Sequence, residues 1–384
     1  MKRLAPVFLV LVLVFVLVLS GCATSVRVRH MVPGEVDLQG GRSLAVSSTS
    51  MYRFPYGRPV SPWVSGLQET DFTLSTGYDP NLSERVASLA TRRIVQAVSD
   101  TRYFSILAPE ATDAYLSLSK AGEDSIRLMR DKGFDLLMSS EISYMDMEER
   151  VEGTDRREFV TDSSGVSSEQ VTKREYYLVQ EATLGLSYTI TSLQDGKILA
   201  SESFIDKEEE QTKIGTRYYD QDGSHRDERN YSSGLAPSFD PLFSQIIERT
   251  TDRIALHLAP SWETRYLSLM KNKEKLAAAD MAHQFAKDGE YQRAYQQFLS
   301  IWQQAGQLSS GYNASLMLAA LGELQASVDL MNAVYNSTGD KRAHDTLLIL
   351  QQALSQDQLA KRQISGDSVD DGQGVTMTQY MVME

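Results

Sequence analysis

Only one of the 384 residues is cysteine, Cys22, so the chain has no intrachain disulfide and no thiolate cluster to hold a metal. Histidine is nearly as scarce: His30, His225, His257, His283 and His344 lie far apart in sequence and form no metal-ligand spacing. Positive charge is in deficit. Against 51 aspartates and glutamates stand 38 lysines and arginines, a net charge of −13, which argues against a nucleic-acid partner and against a basic membrane-surface patch, because phosphate binding rests on basic patches. Past residue 19 no apolar run is long enough to cross a bilayer, which takes about 20 residues as a helix. These absences lead us to expect no metal, no cofactor and no catalytic residue.

What is present at the amino terminus is more specific. Lys2 and Arg3 precede an unbroken, charge-free apolar run from Val7 to Leu19, which stops at Leu19-Ser20-Gly21-Cys22. A basic start, a short apolar stretch and small residues before a cut site form the pattern of an export signal. Leu-Ser-Gly-Cys resembles the lipobox of bacterial lipoproteins. The resemblance implies removal of residues 1–21 and diacylation of the Cys22 thiol at the new amino terminus, an anchor that holds where a single chain is marginal, at about 0.8 kcal/mol per buried CH₂. The alternative is an ordinary export signal with an incidental cysteine. Ala23, in place of aspartate, implies the outer membrane under the enterobacterial sorting rule, with the body facing the periplasm. Loss of Lys2 and Arg3 with the signal would take the net charge from −13 to −15.

About 360 mature residues are more than one core usually serves, so two domains are expected after a lipidated linker over 22–34. Residues 35–262 read as an α/β domain with a mixed sheet flanked by helices. A short strand, Ser43–Ser47, leads into a proline-punctuated segment from about 48 to 80 that follows neither the strand nor the helix period. Asn81-Leu-Ser-Glu84 fits a reciprocal capping box and opens a helix with Val86, Leu89, Ala90, Ile94, Ala97 and Val98 on one face. Next come a strand at Phe104–Leu107, a helix from Asp124 to Lys132 that Gly133 stops, and an apolar strand from Phe134 to Tyr144. Tyr176 to Glu209 alternates as a hairpin that turns at Gln194-Asp-Gly196, and a last helix opens at Asp240-Pro241 and ends before Pro260.

Beyond Trp262 the pattern becomes continuous helix, predicting an all-α helical-repeat domain over 263–363. Ala278, Ala282 and Phe285, a turn at Gly289-Glu-Tyr291, then Ala294 and Phe298 resemble the tetratricopeptide pattern. A shift of 33 residues brings Gly322, Leu324, Ser327 and Met331 under Gly289, Tyr291, Ala294 and Phe298. An ordinary amphipathic bundle is the alternative. Ala343 to Gln363 would cap the stack, and residues 364–384 are expected to be a disordered tail.

The order of elements over about 35–262 is similar to that of the curli-export (CsgG-like) lipoprotein family, and to related periplasmic lipoproteins that activate cell-wall synthases. The matching residues are Ala45 and Val46, Phe104 and Leu107, Gly133 and Asp135, Asp195-Gly196 and Ile198-Leu199. They are fold positions. The family's pore-forming branch inserts membrane hairpins at two places, and this chain has insertions at both, near 145–175 and 207–235. A membrane strand needs an outward apolar band of about 9–11 residues. Arg156-Arg-Glu158, Lys173-Arg-Glu175 and Asp220-Gln-Asp-Gly223 break any such band, so soluble hairpins are expected.

Candidate sites are few. Tyr52, Phe54, Tyr56, Trp63, Phe72 and Tyr78, set among prolines, are the candidate partner-binding residues, because aromatics carry most hot-spot energy. The alternative is a strap over the sheet edge. Asp195-Gly-Lys197 lacks the serine or threonine of a phosphate loop and reads as a turn. Asp220-Gln-Asp-Gly223 reads as a hairpin turn before a calcium loop. Glu148-Glu149 and Glu208-Glu-Glu210 read as solvated charge, with paired carboxylates for hydrolysis as the alternative. The expected function is a non-catalytic adaptor or assembly factor for envelope proteins or peptide segments, membrane-bound through its lipid and compatible with a homo-oligomer. An oligomeric secretion channel is the rival reading.

Overall fold

The computed structural model describes residues 24–54, 81–119, 124–161, 168–219, 223–230 and 236–366. They fall into two compact units, Glu35–Ala259 and the residues up to Gly34 together with those from Pro260 onward. The second unit contributes the first strand, β1 (Ser25–Val32), which lies inside the segment expected as a linker.

The α/β unit then runs β2 (Ser43–Val46), α1 (Leu82–Asp100), β3 (Ser105–Leu107), α2 (Pro109–Ser119), α3 (Ser125–Asp131), β4 (Leu136–Thr161), β5 (Ser168–Ser192), β6 (Ile198–Tyr219), β7 (His225–Arg229) and α4 (Asp240–Leu258). Its mixed sheet has the order β3-β2-β4-β5-β6-β7. The pairs of β2 with β3 and with β4 are parallel, and the rest are antiparallel.

Side-chain period decides which face each residue covers. Leu44, Val46, Leu136, Met138, Ile142, Leu186, Tyr188 and Ile190 stand on one face, where they form one core with Val86, Ala90, Ile94 and Val98 of α1 and Phe243, Ile246, Ile247 and Ile254 of α4. On the other face Ala45, Leu137 and Leu193 pack with Met129 of α3, flanked by Tyr115 and Leu116 of α2. Because helices cover both faces, β2 is apolar at consecutive positions and does not alternate.

Two local details differ from expectation. Asn81 is the N-cap of α1, yet its side chain makes no capping hydrogen bond: at φ −99° and ψ 3° it lacks the extended conformation that aims a cap at the first-turn N–H groups. The helix α2 was not expected, since only its Pro109 and Thr112 are fully buried and its sequence shows no strong apolar stripe. By contrast Asp124 caps α3 by accepting from the Arg127 N–H at 3.0 Å.

In the second unit β1 pairs antiparallel with β8 (Ser261–Ser268), from Ser25 opposite Ser268 to Val32 opposite Ser261. Continuous helix was expected from this point. The residues Ser-Trp-Glu-Thr-Arg-Tyr-Leu-Ser instead take alternately half-buried and exposed positions in a strand covered on one side, with Trp262 and Tyr266 on the exposed side. Helices α5 (Ala277–Lys287), α6 (Tyr291–Ala305), α7 (Leu308–Ala320), α8 (Leu324–Thr338) and α9 (Lys341–Ser365) follow, each packed on the next. Gly306 and Gly339, 33 residues apart, end α6 and α8 in the left-handed conformation at φ 63° and 65°, where a side chain would be strained. Phe298 and Met331 are buried at matching positions of those helices.

Candidate functional site

Cys22 and the aromatics Tyr56, Trp63, Phe72 and Tyr78 lie outside the described residues. Of the six candidate partner-binding aromatics, Tyr52 and Phe54 are described. Both are partly buried against the α/β core, with their rings edge to face at 5.0 Å. Ser83, in the first turn of α1, donates its hydroxyl to the Tyr52 carbonyl at 2.7 Å. This end of the segment is therefore fastened to the helix.

Among the described residues a dense polar arrangement lies where β4, β5 and β6, of 26, 25 and 22 residues, run past the core. One face of this arm is a grid of charge built from the antiparallel register. Arg150 on β4 reaches Glu152 at 2.7 Å, Glu209 on β6 at 2.9 Å and Glu181 on β5 at 3.7 Å. Lys207 meets the same Glu181 at 2.5 Å. One step outward, Glu175 accepts from Lys213 at 2.7 Å and Tyr177 at 3.0 Å, with Arg156 at 3.1 Å and Lys173 at 3.6 Å. The Lys213 hydrogen bond, opposed by burial and aided by the Tyr177 hydrogen bond and the charges of Lys213 and Arg156, lowers the Glu175 pKa to about 2.

The opposite face of the arm is covered. Tyr176, Leu178 and Ile214 form a small core with Val151 and Ala236. Into it points Glu149, only 3% exposed, which contradicts its reading as solvated charge. The period of the strand explains why: neighbours on a strand face opposite ways, so Glu148 is exposed while Glu149 turns inward. Gln180 donates to Glu149 Oε1 at 2.5 Å and to the Pro237 carbonyl at 2.9 Å, whereas Glu149 Oε2 has no hydrogen-bond partner. Burial raises the Glu149 pKa, and the Gln180 hydrogen bond opposes the rise. Glu208 does not join it; that carboxylate pairs with Arg249 of α4 at 2.5 Å.

The histidines stay dispersed. His257 hydrogen-bonds the Tyr188 hydroxyl and lies 3.2 Å from Glu35, while His30 reaches Gln356 at 3.0 Å and His283 packs edge-on to Phe298. Burial lowers the His283 pKa. Among the described residues no group of three or more His, Cys, Asp or Glu is placed to hold a metal. Asp195 accepts from the Lys197 N–H at 3.2 Å, which makes Asp195-Gly-Lys197 a turn between β5 and β6. Most of Asp220-Gln-Asp-Gly223 lies outside the described residues. The grid was visible in sequence as dense charge; the buried carboxylates were not, because register and cover decide them.

No family model matches the chain, and no curated protein matches it. Among solved structures it is similar to a PelC dodecamer from Paraburkholderia phytofirmans, 9% identical, covering 60% of this chain and 97% of that one at a TM-score of 0.22. It is similar also to a neuraminyllactose-binding hemagglutinin homolog from Helicobacter pylori, 8% identical, covering 56% of this chain and 83% of that one at a TM-score of 0.21. At such scores neither likeness carries an argument about oligomer or role, and the curli-export resemblance stays one of element order.

Proposed function

We propose that this chain is an envelope lipoprotein, tethered to the outer membrane through acylated Cys22 and facing the periplasm, that acts as a non-catalytic adaptor or assembly factor. The observation that carries the reading is the charge-free run Val7–Leu19 ending in Leu-Ser-Gly-Cys, with the only cysteine of the chain at its end. Partner contacts are assigned to the aromatic segment beginning at Tyr52, to the charged face of the β4–β6 arm, and to the helices from Ala277 onward. Those helices we read as tetratricopeptide-like, on the 33-residue recurrence of Gly306 and Gly339; stacked repeats of that kind offer a concave surface to a peptide or protein segment. Self-association through the arm belongs to the same reading.

Labelled palmitate should enter the wild-type protein and not the Cys22→Ser variant. Failure to label the wild type would remove the anchor. A photocrosslinker in place of exposed Glu152 should give discrete adducts in intact cells, and uniform background at that position would remove the arm as a contact surface.

One observation favours the rival reading of a secretion channel: β4, β5 and β6 are far longer than the 9–11 residues a membrane strand needs. Against it, one face of the arm is a grid of ion pairs and the other is covered, so neither offers lipid an apolar band over the described side chains. Detergent-extracted oligomers with conductance in planar bilayers would reverse this preference.

A further inference from the structure

The ribbon of β1 and β8 has an outer face unlike the rest of this acidic chain. Alternation puts Val26, Val28 and His30 inward, all buried, and leaves Arg27 and Arg29 outward. On β8 the outward residues are Trp262, Thr264 and Tyr266, the two aromatics being 59% and 70% exposed. Arg27 stands directly across from Tyr266, and the Arg29 guanidinium lies 5.0 Å from the centre of the Trp262 ring. No carboxylate occupies a ladder position on this face. Among the described residues neither arginine has an ion pair.

Two exposed amphipathic aromatics with two unpaired guanidiniums suit the headgroup layer of a bilayer, where indole and phenol rings concentrate and where guanidinium meets phosphate. A second copy of the same face fits worse, because a symmetric contact of this face with itself would bring no carboxylate to any of the four arginines. Position points the same way. β1 starts at Ser25, three residues after Cys22, and three extended residues reach only about 10 Å.

We propose that the outer face of the β1–β8 ribbon docks on anionic phospholipid headgroups of the membrane that carries the anchor, with Trp262 and Tyr266 entering the interface and Arg27 and Arg29 engaging phosphates. The nearness of the bilayer rests on acylation of Cys22; the composition of the face does not.

The test uses the full lipidated protein in vesicles of phosphatidylcholine with phosphatidylglycerol. Fluorescence of wild type minus that of Trp262→Phe isolates Trp262 from Trp63 and Trp302. The expected result is quenching of Trp262 by phospholipids brominated near the headgroup and shielding from aqueous acrylamide. Arg27→Ser and Arg29→Ser should each lower the ratio of docked to undocked protein about fivefold. A Trp262 that stays open to acrylamide and untouched by the lipid quencher overturns the proposal, as does equal docking on phosphatidylcholine alone. Shielding that needs no vesicles and grows with protein concentration assigns the face to a second copy and overturns it too. The mass of the Cys22 peptide from the same samples separates the two ideas: acyl chains without quenching remove the docking face and leave the anchor, whereas quenching without acyl chains does the reverse.

Discussion

At Glu175 cations from three strands converge on one carboxylate whose side chain is 6% exposed: Arg156 from β4, Lys173 from β5 and Lys213 from β6. Its pKa falls from an ordinary value of 4.5 to about 2, so its contribution to stability is complete above about pH 4.5 and disappears as the pH drops toward 2. Glu175→Gln should cost about 1–3 kcal/mol at neutral pH, trimmed because Arg156 and Lys213 are themselves partly solvated, and the difference from wild type in urea denaturation should shrink toward nothing below pH 3. Glu149 has the opposite sign. Its raised pKa means that the folded state holds the proton more tightly than the unfolded chain, so its contribution is complete below its ordinary value and is lost as the pH climbs through the raised one. Glu149→Gln keeps an acceptor for Gln180, removes a buried charge, and should stabilise the protein by about 1 kcal/mol near pH 7 with little effect at pH 4. A variant less stable than wild type at pH 7 would show that the ionised form has an unseen partner.

Among the elements, those with self-contained patterns were legible. The apolar stripe of α1, the cap and stop of α3 and the proline-led α4 each depend on residues within one or two turns and stand where expected, while β5 and β6 form the expected hairpin but run past 176–209, to Ser168 and Tyr219. α2 and β8 were not, because a weak stripe and a strand with a distant partner leave little local signal. Helix α7 shows what packing adds to pattern. It is buried on nearly every side, and a Cβ placed on its Gly311 would lie 2.7 Å from both the Trp302 ring and Val334. Gly311→Ala gains about 1 kcal/mol in helix propensity but costs about 1–3 kcal/mol in overpacking. We therefore expect a lower thermal midpoint in far-UV circular dichroism; an unchanged or higher one would mean that α6 and α8 part without cost.

For the whole molecule, the main consequence is that β1, the first strand among the described residues, belongs to the same unit as the carboxy-terminal helices. Val26 and Val28 lie in one core with Phe298, Leu316 and Leu347, while the Met31 and Gly34 N–H groups donate to Asp357 at 3.1 Å and Gln363 at 2.9 Å. Val26, wholly buried in this core, faces Leu267 across the ladder, so Val26→Asp should cost at least about 3 kcal/mol and speed hydrogen exchange at the β8 amides. Unchanged protection of β8 would show that the ribbon stands without β1. The sequence by itself determined the α/β class of one unit, the helical character of most of the other and most helices, because those follow from composition and from periods of two and 3.6 residues along a short stretch. Only the tertiary structure decided that residues 25–32 are a strand, that Glu149 is buried while Glu148 is not, and which cations surround Glu175. Each of those depends on pairing between segments tens to hundreds of residues apart, and no local pattern encodes the register or the cover that such pairing brings.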